Sequence, residues 1–186
     1  MDYIREVLKE KKYLSVVIVM TAIAEAILFH VYGYHWLKST RYIFLTVFLI
    51  LLSFIDSKRT IIPNKILMVM VVFRGLVLLG EITVVPSWRA DMVKAAFGGM
   101  AIGFCIFLMA WFLSRRSIGL GDVKLAAVIG WYLGSSLIWF DLVFCLTLAA
   151  FFSIFQLFRK KLKMKDSIPL APFFSGGTIL ILILGF

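Results

Sequence analysis

Acidic side chains are scarce in this chain of 186 residues, which carries ten Asp and Glu against twenty Lys and Arg, a formal net charge of +10. Cysteine and histidine are scarcer still, with two of each. Cys105 and Cys145 form no Cys-x-x-Cys motif and no Cys/His cluster of ligand spacing, and His30 and His35 both lie near the outer end of the first apolar run. A cysteine- or histidine-built metal site is therefore unsupported, and both cysteines are expected to be small buried hydrophobes. Long polar stretches are also missing. The longest between apolar runs is Arg159 to Ser167, which leaves no room for a soluble domain, and neither repeats nor low-complexity tracts occur. Without a domain to carry a basic face, the net charge does not read as nucleic-acid binding.

What the chain has in abundance is apolar surface: 62% of residues are hydrophobic and 16% aromatic. That is the composition of a multi-pass membrane protein. Apolar segments bounded by charges, Gly or Pro predict seven spans, near 13–32, 41–55, 62–80, 92–113, 122–134, 137–158 and 168–186. The expected fold is an all-α helix bundle forming one membrane domain over 1–186. The run from Val123 to Phe158 is too long for one crossing, and Gly134-Ser135-Ser136 is the natural turn. Pro63, Pro86 and Pro169 fall at or outside span ends, where a helix tolerates proline. Ala24-Glu25-Ala26 superficially resembles a signal cleavage site, but the apolar run starts at Tyr13, continues to Phe29 and is interrupted by Glu25, which favours an uncleaved helix.

Charge placement predicts orientation. One set of alternate loops holds Arg5, Lys9, Lys11, Lys12, Lys58, Arg59, Lys65, Arg115, Arg116, Lys124 and the cluster Arg159, Lys160, Lys161, Lys163, Lys165; the other holds Lys38, Arg41, Arg89 and Lys94. Because positive loops stay in the cytoplasm, the N-terminus is expected inside and the C-terminus outside, with the basic loops meeting anionic lipid.

Within this frame, Asp56 closes the second span and Asp122 opens the fifth, so both fall at the cytoplasmic face. Carboxylates beside lipid are costly and are more often functional than ornamental, although each could instead cap a helix or offset nearby Lys and Arg. Two at one depth suit an acid/base pair on a water, with no cofactor. Spans of about 20 Å against a core of about 30 Å predict that both are recessed. The helix dipole favours charge at Asp122 and not at Asp56, which predicts Asp122 as the more acidic partner. Gly119 and Gly121 are expected to allow close approach of another segment and unusual dihedrals before Asp122. Lys124 is placed either to act on Asp122 or substrate or to snorkel. Glu25 and Arg74, at similar depth, are expected to pair. Trp36, Trp88, Trp111, Trp131 and Trp139 read as lipid-facing anchors.

Asp56 six residues before Ile62-Pro63-Asn64, Gly119-Leu-Gly121-Asp122-Val-Lys124, and the late Pro169-Leu-Ala-Pro172 segment together resemble the type IV prepilin peptidase family, over residues 41–186. The resemblance implies a six-helix membrane aspartyl endopeptidase of the prokaryotic cytoplasmic membrane. Its substrates are prepilins or pseudopilins, which lose a short basic leader. It also implies that Asp56 and Asp122 are catalytic and that Gly119, Gly121, Lys124, Pro63, Asn64, Pro169 and Pro172 bind substrate or shape the site. The larger members' domain with paired Cys-x-x-Cys motifs, associated with N-methylation, has no counterpart here, so protease activity alone is expected; residues 13–40 add an N-terminal helix and loop. Presenilin-like proteases share Gly-x-Gly-Asp, but Ile55 precedes Asp56 where they have Tyr. A non-catalytic carrier using the aspartates for protons or cations is the third reading.

Overall fold

The computed structural model describes residues 11–114, 118–159 and 169–185. Arg5, Lys9, Arg115, Arg116 and the run Lys160 to Lys165 lie outside them, as do the side chains of Lys11 and Lys12, so their part in the charge asymmetry stays a matter of sequence. The described residues are helical, without strands: α1 (Lys11–Val31), α2 (Trp36–Arg59), α3 (Asn64–Val84), a 3-10 turn (Pro86–Trp88), α4 (Arg89–Leu113), α5 (Leu120–Phe158) and α6 (Ala171–Leu184). Five of these helices are long and apolar enough to cross a membrane, and α6 is a shorter apolar helix.

The helix ends follow local chemistry. His35 caps α2, its Nδ1 accepting the Leu37 N–H at 3.4 Å. Thr60 ends the same helix in the left-handed region (φ 51°, ψ 38°), its N–H donating to the Asp56 carbonyl. Pro63, extended, starts α3 with no N–H to waste.

Gly134 breaks α5 with φ 81° and ψ 175°, a conformation glycine adopts without a Cβ penalty. Contacts on either side show that the chain reverses there. The first half runs parallel to α3, with Lys124 at Asn64 and the Trp131 carbonyl at Arg74. The second half runs antiparallel to α6, with Asp141 at Thr178 and Phe152 at Phe173. Because α2 is antiparallel both to α3 (Arg41 to Glu81) and to α6 (Asp56 to Ala171), the two halves of α5 must oppose each other. The turn expected at Gly134-Ser135-Ser136 is thus a glycine break.

The most extensive interface joins α4 to α5. Gly99 and Gly103 face Gly130, Gly134 and Ala126, so closely that a Cβ on Gly99, Gly103 or Gly130 would overlap backbone of the other helix. Close small-residue packing of this kind lets helices associate where lipid is as apolar as leucine.

Several expectations change. The second helix is 24 residues, or about 36 Å, rather than the 15 of the expected span 41–55. Lys38 and Arg41 do not bound it, because Lys38 lies 3.5 Å from the centre of the Tyr34 ring and Arg41 pairs with Glu81 at 2.9 Å. A short second helix therefore gives no reason to expect Asp56 to be recessed. Cys145 is buried but Cys105 is exposed on α4. Trp131 is in the core, edge-on to Phe97 at 4.7 Å, while Trp36, Trp88 and Trp139 are exposed as expected of anchors.

Glu25 and Arg74 do not pair. Glu25 instead accepts a 2.7 Å hydrogen bond from Thr46, tying α1 to α2. Arg74 meets Glu81 at 3.0 Å, two turns along the same face of α3. Glu81 thus serves both Arg74 and Arg41, each through its own carboxylate oxygen. Removing it leaves buried Arg74 and half-buried Arg41 without their shared counter-charge. Glu81→Ala is expected to cost about 3–5 kcal/mol, read as a lowered unfolding midpoint in detergent; an unchanged midpoint would dismiss the ion triad as a structural element.

Candidate active site

Three chain segments converge at one end of the bundle. The first is the C-terminal turn of α2, which carries Asp56 and ends at Thr60. The second is Ile61 to Asn64, which enters α3. The third is Gly119 to Lys124, which opens α5. Together they line a cavity of about 280 Å³ that holds Asp56, Thr60, Ile62, Asn64, Gly121 and Asp122 among its walls, with Gly119 and Lys124. Asp56 is buried at 4% exposure and Asp122 is half-buried. The carboxylates are close enough for the charge of Asp56 to act on Asp122. They come from different helices of opposite polarity, as the sequence led one to expect.

Asp56 has a partner the dipole argument omitted. Its Oδ2 accepts the Ala171 N–H at 3.1 Å, at the first residue of α6. The end of its own helix and the start of another therefore meet at this carboxylate, so dipole direction no longer separates the two aspartates. Pro169 and Pro172 flank Ala171, and Pro172 stands in the first turn of α6. They do not line the cavity; they bring in the segment whose N–H reaches Asp56.

The glycines act by proximity rather than by dihedral. Gly119 is extended (φ −69°, ψ 139°), a conformation open to any residue. A Cβ there would sit 3.2 Å from Asp122 Oδ2, however, and one on Gly121 would sit 3.1 Å from the Ile62 Cβ. Gly121 thus lets the Ile-Pro-Asn segment press against the start of α5, and the unusual backbone expected before Asp122 is found instead at Thr60. A β-branched residue in the left-handed region stores strain, and Thr60 lies on the cavity wall.

Lys124 Nζ donates to Asn64 Oδ1 at 3.1 Å. This bridge spans 60 positions of sequence and joins the two motifs that carry the aspartates. Lys124→Met removes it without adding bulk, and should loosen the cavity mouth with little change in unfolding midpoint, since exposed contacts of this type contribute at most about 1 kcal/mol; if the cavity is catalytic, turnover should fall about tenfold. Full activity in Lys124→Met would show that the bridge is incidental.

Thr60 and Ala171 were not legible beforehand as parts of the site. Thr60 reads as loop, and Ala171 contributes only a backbone group, which residue type cannot reveal.

Several helices long and apolar enough to cross a membrane, with a small cavity at one end lined by two carboxylates, define the class as a multi-pass membrane protein with an acidic pocket. The chain belongs to the type IV leader peptidase family, whose model matches residues 43–158. The matched residues include Asp56, Asn64, Gly119, Gly121, Asp122 and Lys124, while the Pro169 to Pro172 segment lies beyond them. A curated relative, the prepilin leader peptidase/N-methyltransferase of Bacillus subtilis (strain 168), is 28% identical over 137 residues, which cover 74% of this chain and 52% of the relative. The chain thus spans about half the length of that protein. No solved structure matches the present chain.

Proposed function

We propose that the protein is a membrane aspartyl endopeptidase that removes the short basic leader of type IV prepilins or prepilin-like proteins, with Asp56 and Asp122 as its catalytic pair. The observation that carries this reading is the shared cavity: two carboxylates from remote sequence positions, lining one pocket in a chain with few acids. In the proposed step, one Asp is ionised and takes a proton from a water. That water's oxygen bonds to the scissile carbonyl carbon, and the other Asp, protonated, donates to the carbonyl oxygen. Collapse of the tetrahedral intermediate breaks the C–N bond, with a proton delivered to the leaving amine. Asn64, Lys124 and the backbone around Gly119 and Gly121 hold the substrate chain across the pair.

The topology that goes with this reading has seven crossings, the N-terminus inside, the C-terminus outside, and the aspartates at the cytoplasmic face. It is supported by the grouping of Lys58, Arg59, Lys65 and Lys124 at the aspartate end, against Lys38, Arg41, Arg89 and Lys94 at the other. Residues 41–186 form the peptidase core in this reading, with α1 added to it through Glu25 and Thr46. The test is to reconstitute the full chain in vesicles with a prepilin bearing a basic leader and to follow leader release by mass spectrometry. Absence of cleavage for every prepilin-type substrate, with proton or cation flux through the same vesicles, would favour a carrier instead.

A further inference from the structure

At the end of the bundle remote from the aspartates, a second cavity of about 310 Å³ lies between the start of α2, the end of α3, the start of α4 and the Gly134 break of α5. Its floor is charged, formed by buried Arg74 and Glu81 with half-buried Arg41 beside them. Lys38 lies on its wall, and exposed His35 and Val84 stand at its rim. Leu37, Val85, Met92 and Ala95 supply apolar walls.

The charges here do not balance. Three cations, Lys38, Arg41 and Arg74, face a single carboxylate, Glu81, whose two oxygens are both taken, one by each arginine. Arg41 also donates to Tyr42 Oη at 2.9 Å, but its Nε is buried without a hydrogen-bond partner. Arg74 Nε reaches the Trp131 carbonyl at 3.3 Å. Lys38 Nζ is held over the rings of Tyr34 and Tyr42, a placement that keeps its charge in the cavity and leaves its N–H donors to a ligand. Excess positive charge in a largely desolvated pocket is costly, and an anion entering the space would offset it. Guanidinium groups with an ammonium suit tetrahedral phosphate oxygens, and the apolar walls suit an attached chain.

We propose that this cavity is a binding site for a phosphate anion, supplied by the headgroup of an anionic phospholipid in the leaflet opposite the aspartates or by free phosphate. It stands independently of the peptidase reading, because none of its residues lines the aspartate cavity. Occupancy joins α2, α3 and α4 at one point, and so bears on the helix that carries Asp56.

The test uses the full chain, delipidated in detergent, and native mass spectrometry with phosphatidylglycerol, phosphatidylcholine or inorganic phosphate added. Phosphatidylglycerol should be retained one per chain at concentrations where phosphatidylcholine is not. Lys38→Gln should weaken it about tenfold, the scale of one lost charge-assisted hydrogen bond. Lys38→Arg should retain it, and Lys94→Gln, at the same end but outside the cavity, should change nothing. Competition by inorganic phosphate, or its binding alone, assigns free phosphate as a source; retention of phosphatidylglycerol that phosphate does not displace assigns the lipid. Equal retention of phosphatidylcholine would overturn the site, as would equal losses in Lys38→Gln and Lys94→Gln, or Lys38→Gln binding like wild type with its helical content intact.

Discussion

If Asp56 and Asp122 are the proposed catalytic pair, Asp56→Asn and Asp122→Asn are each expected to abolish leader release, by about 10³-fold or more, while helical content and unfolding midpoint stay at or above those of the unaltered chain. The expected split between activity and stability follows from the geometry. Asparagine matches aspartate in shape, and at position 56 its Oδ1 can still accept the Ala171 N–H that is donated there at 3.1 Å. What it cannot do is ionise to take a proton from water, or carry an acidic proton to donate. A buried acid at 4% exposure is also a net cost to the fold when charged, so neutralising it does not destabilise.

The same pair of variants separates a catalytic reading from a bland one. If Asp122 only caps α5, asparagine caps nearly as well, and the variant would keep wild-type cleavage. If the two groups share one acid/base cycle, the double variant should be no worse than either single, because groups acting as a unit are far from additive. Leader release in either single variant within tenfold of wild type, measured by mass spectrometry on the reconstituted protein, would remove that Asp from the mechanism.

Sequence made the helices and the aspartate pair legible for a simple reason: both depend on local or repeated signals. Apolar runs mark the spans, basic loops mark the ends, and Asp56 and Asp122 stand out because acids are rare. Lateral contacts were less legible. Arg74 found Glu81 on its own helix, at a two-turn spacing that a search for equal depth across helices passes over. Arg41 read as a boundary because a charge looks like the end of a span, whereas in the fold it turns inward to the same carboxylate. The contact of Ala171 with Asp56 is a backbone donor brought across 115 positions, and side-chain identity carries no trace of it. Closeness at Gly119 and Gly121 follows from their lack of a side chain, but the strained residue is Thr60, whose left-handed backbone its type gives no reason to expect.

The second large effect concerns glycines that carry no motif. Gly130→Ala is expected to cost about 3 kcal/mol or more, enough to prevent folded protein from accumulating or to lower its unfolding midpoint steeply. An added Cβ would overlap the carbonyl of Gly99 and lie 3.1 Å from the Met100 nitrogen, and neither backbone can swing aside as a side chain would. Helix propensity alone argues the reverse, since alanine is favoured over glycine within a helix by roughly 1 kcal/mol. Gly75→Ala on α3 isolates that contribution: nothing lies within 4 Å of its would-be Cβ, so the variant should be neutral or slightly more stable. The consequence reaches the site because Gly130 lies eight residues along α5 from Asp122. Prising α4 from α5 there tilts the helix that sets the position of Asp122 against Asp56. Any Gly130→Ala protein that does fold should therefore lose leader cleavage more than its residual stability would suggest, whereas a variant as stable and active as wild type would mean that the α4–α5 contact is looser than its backbone distances imply.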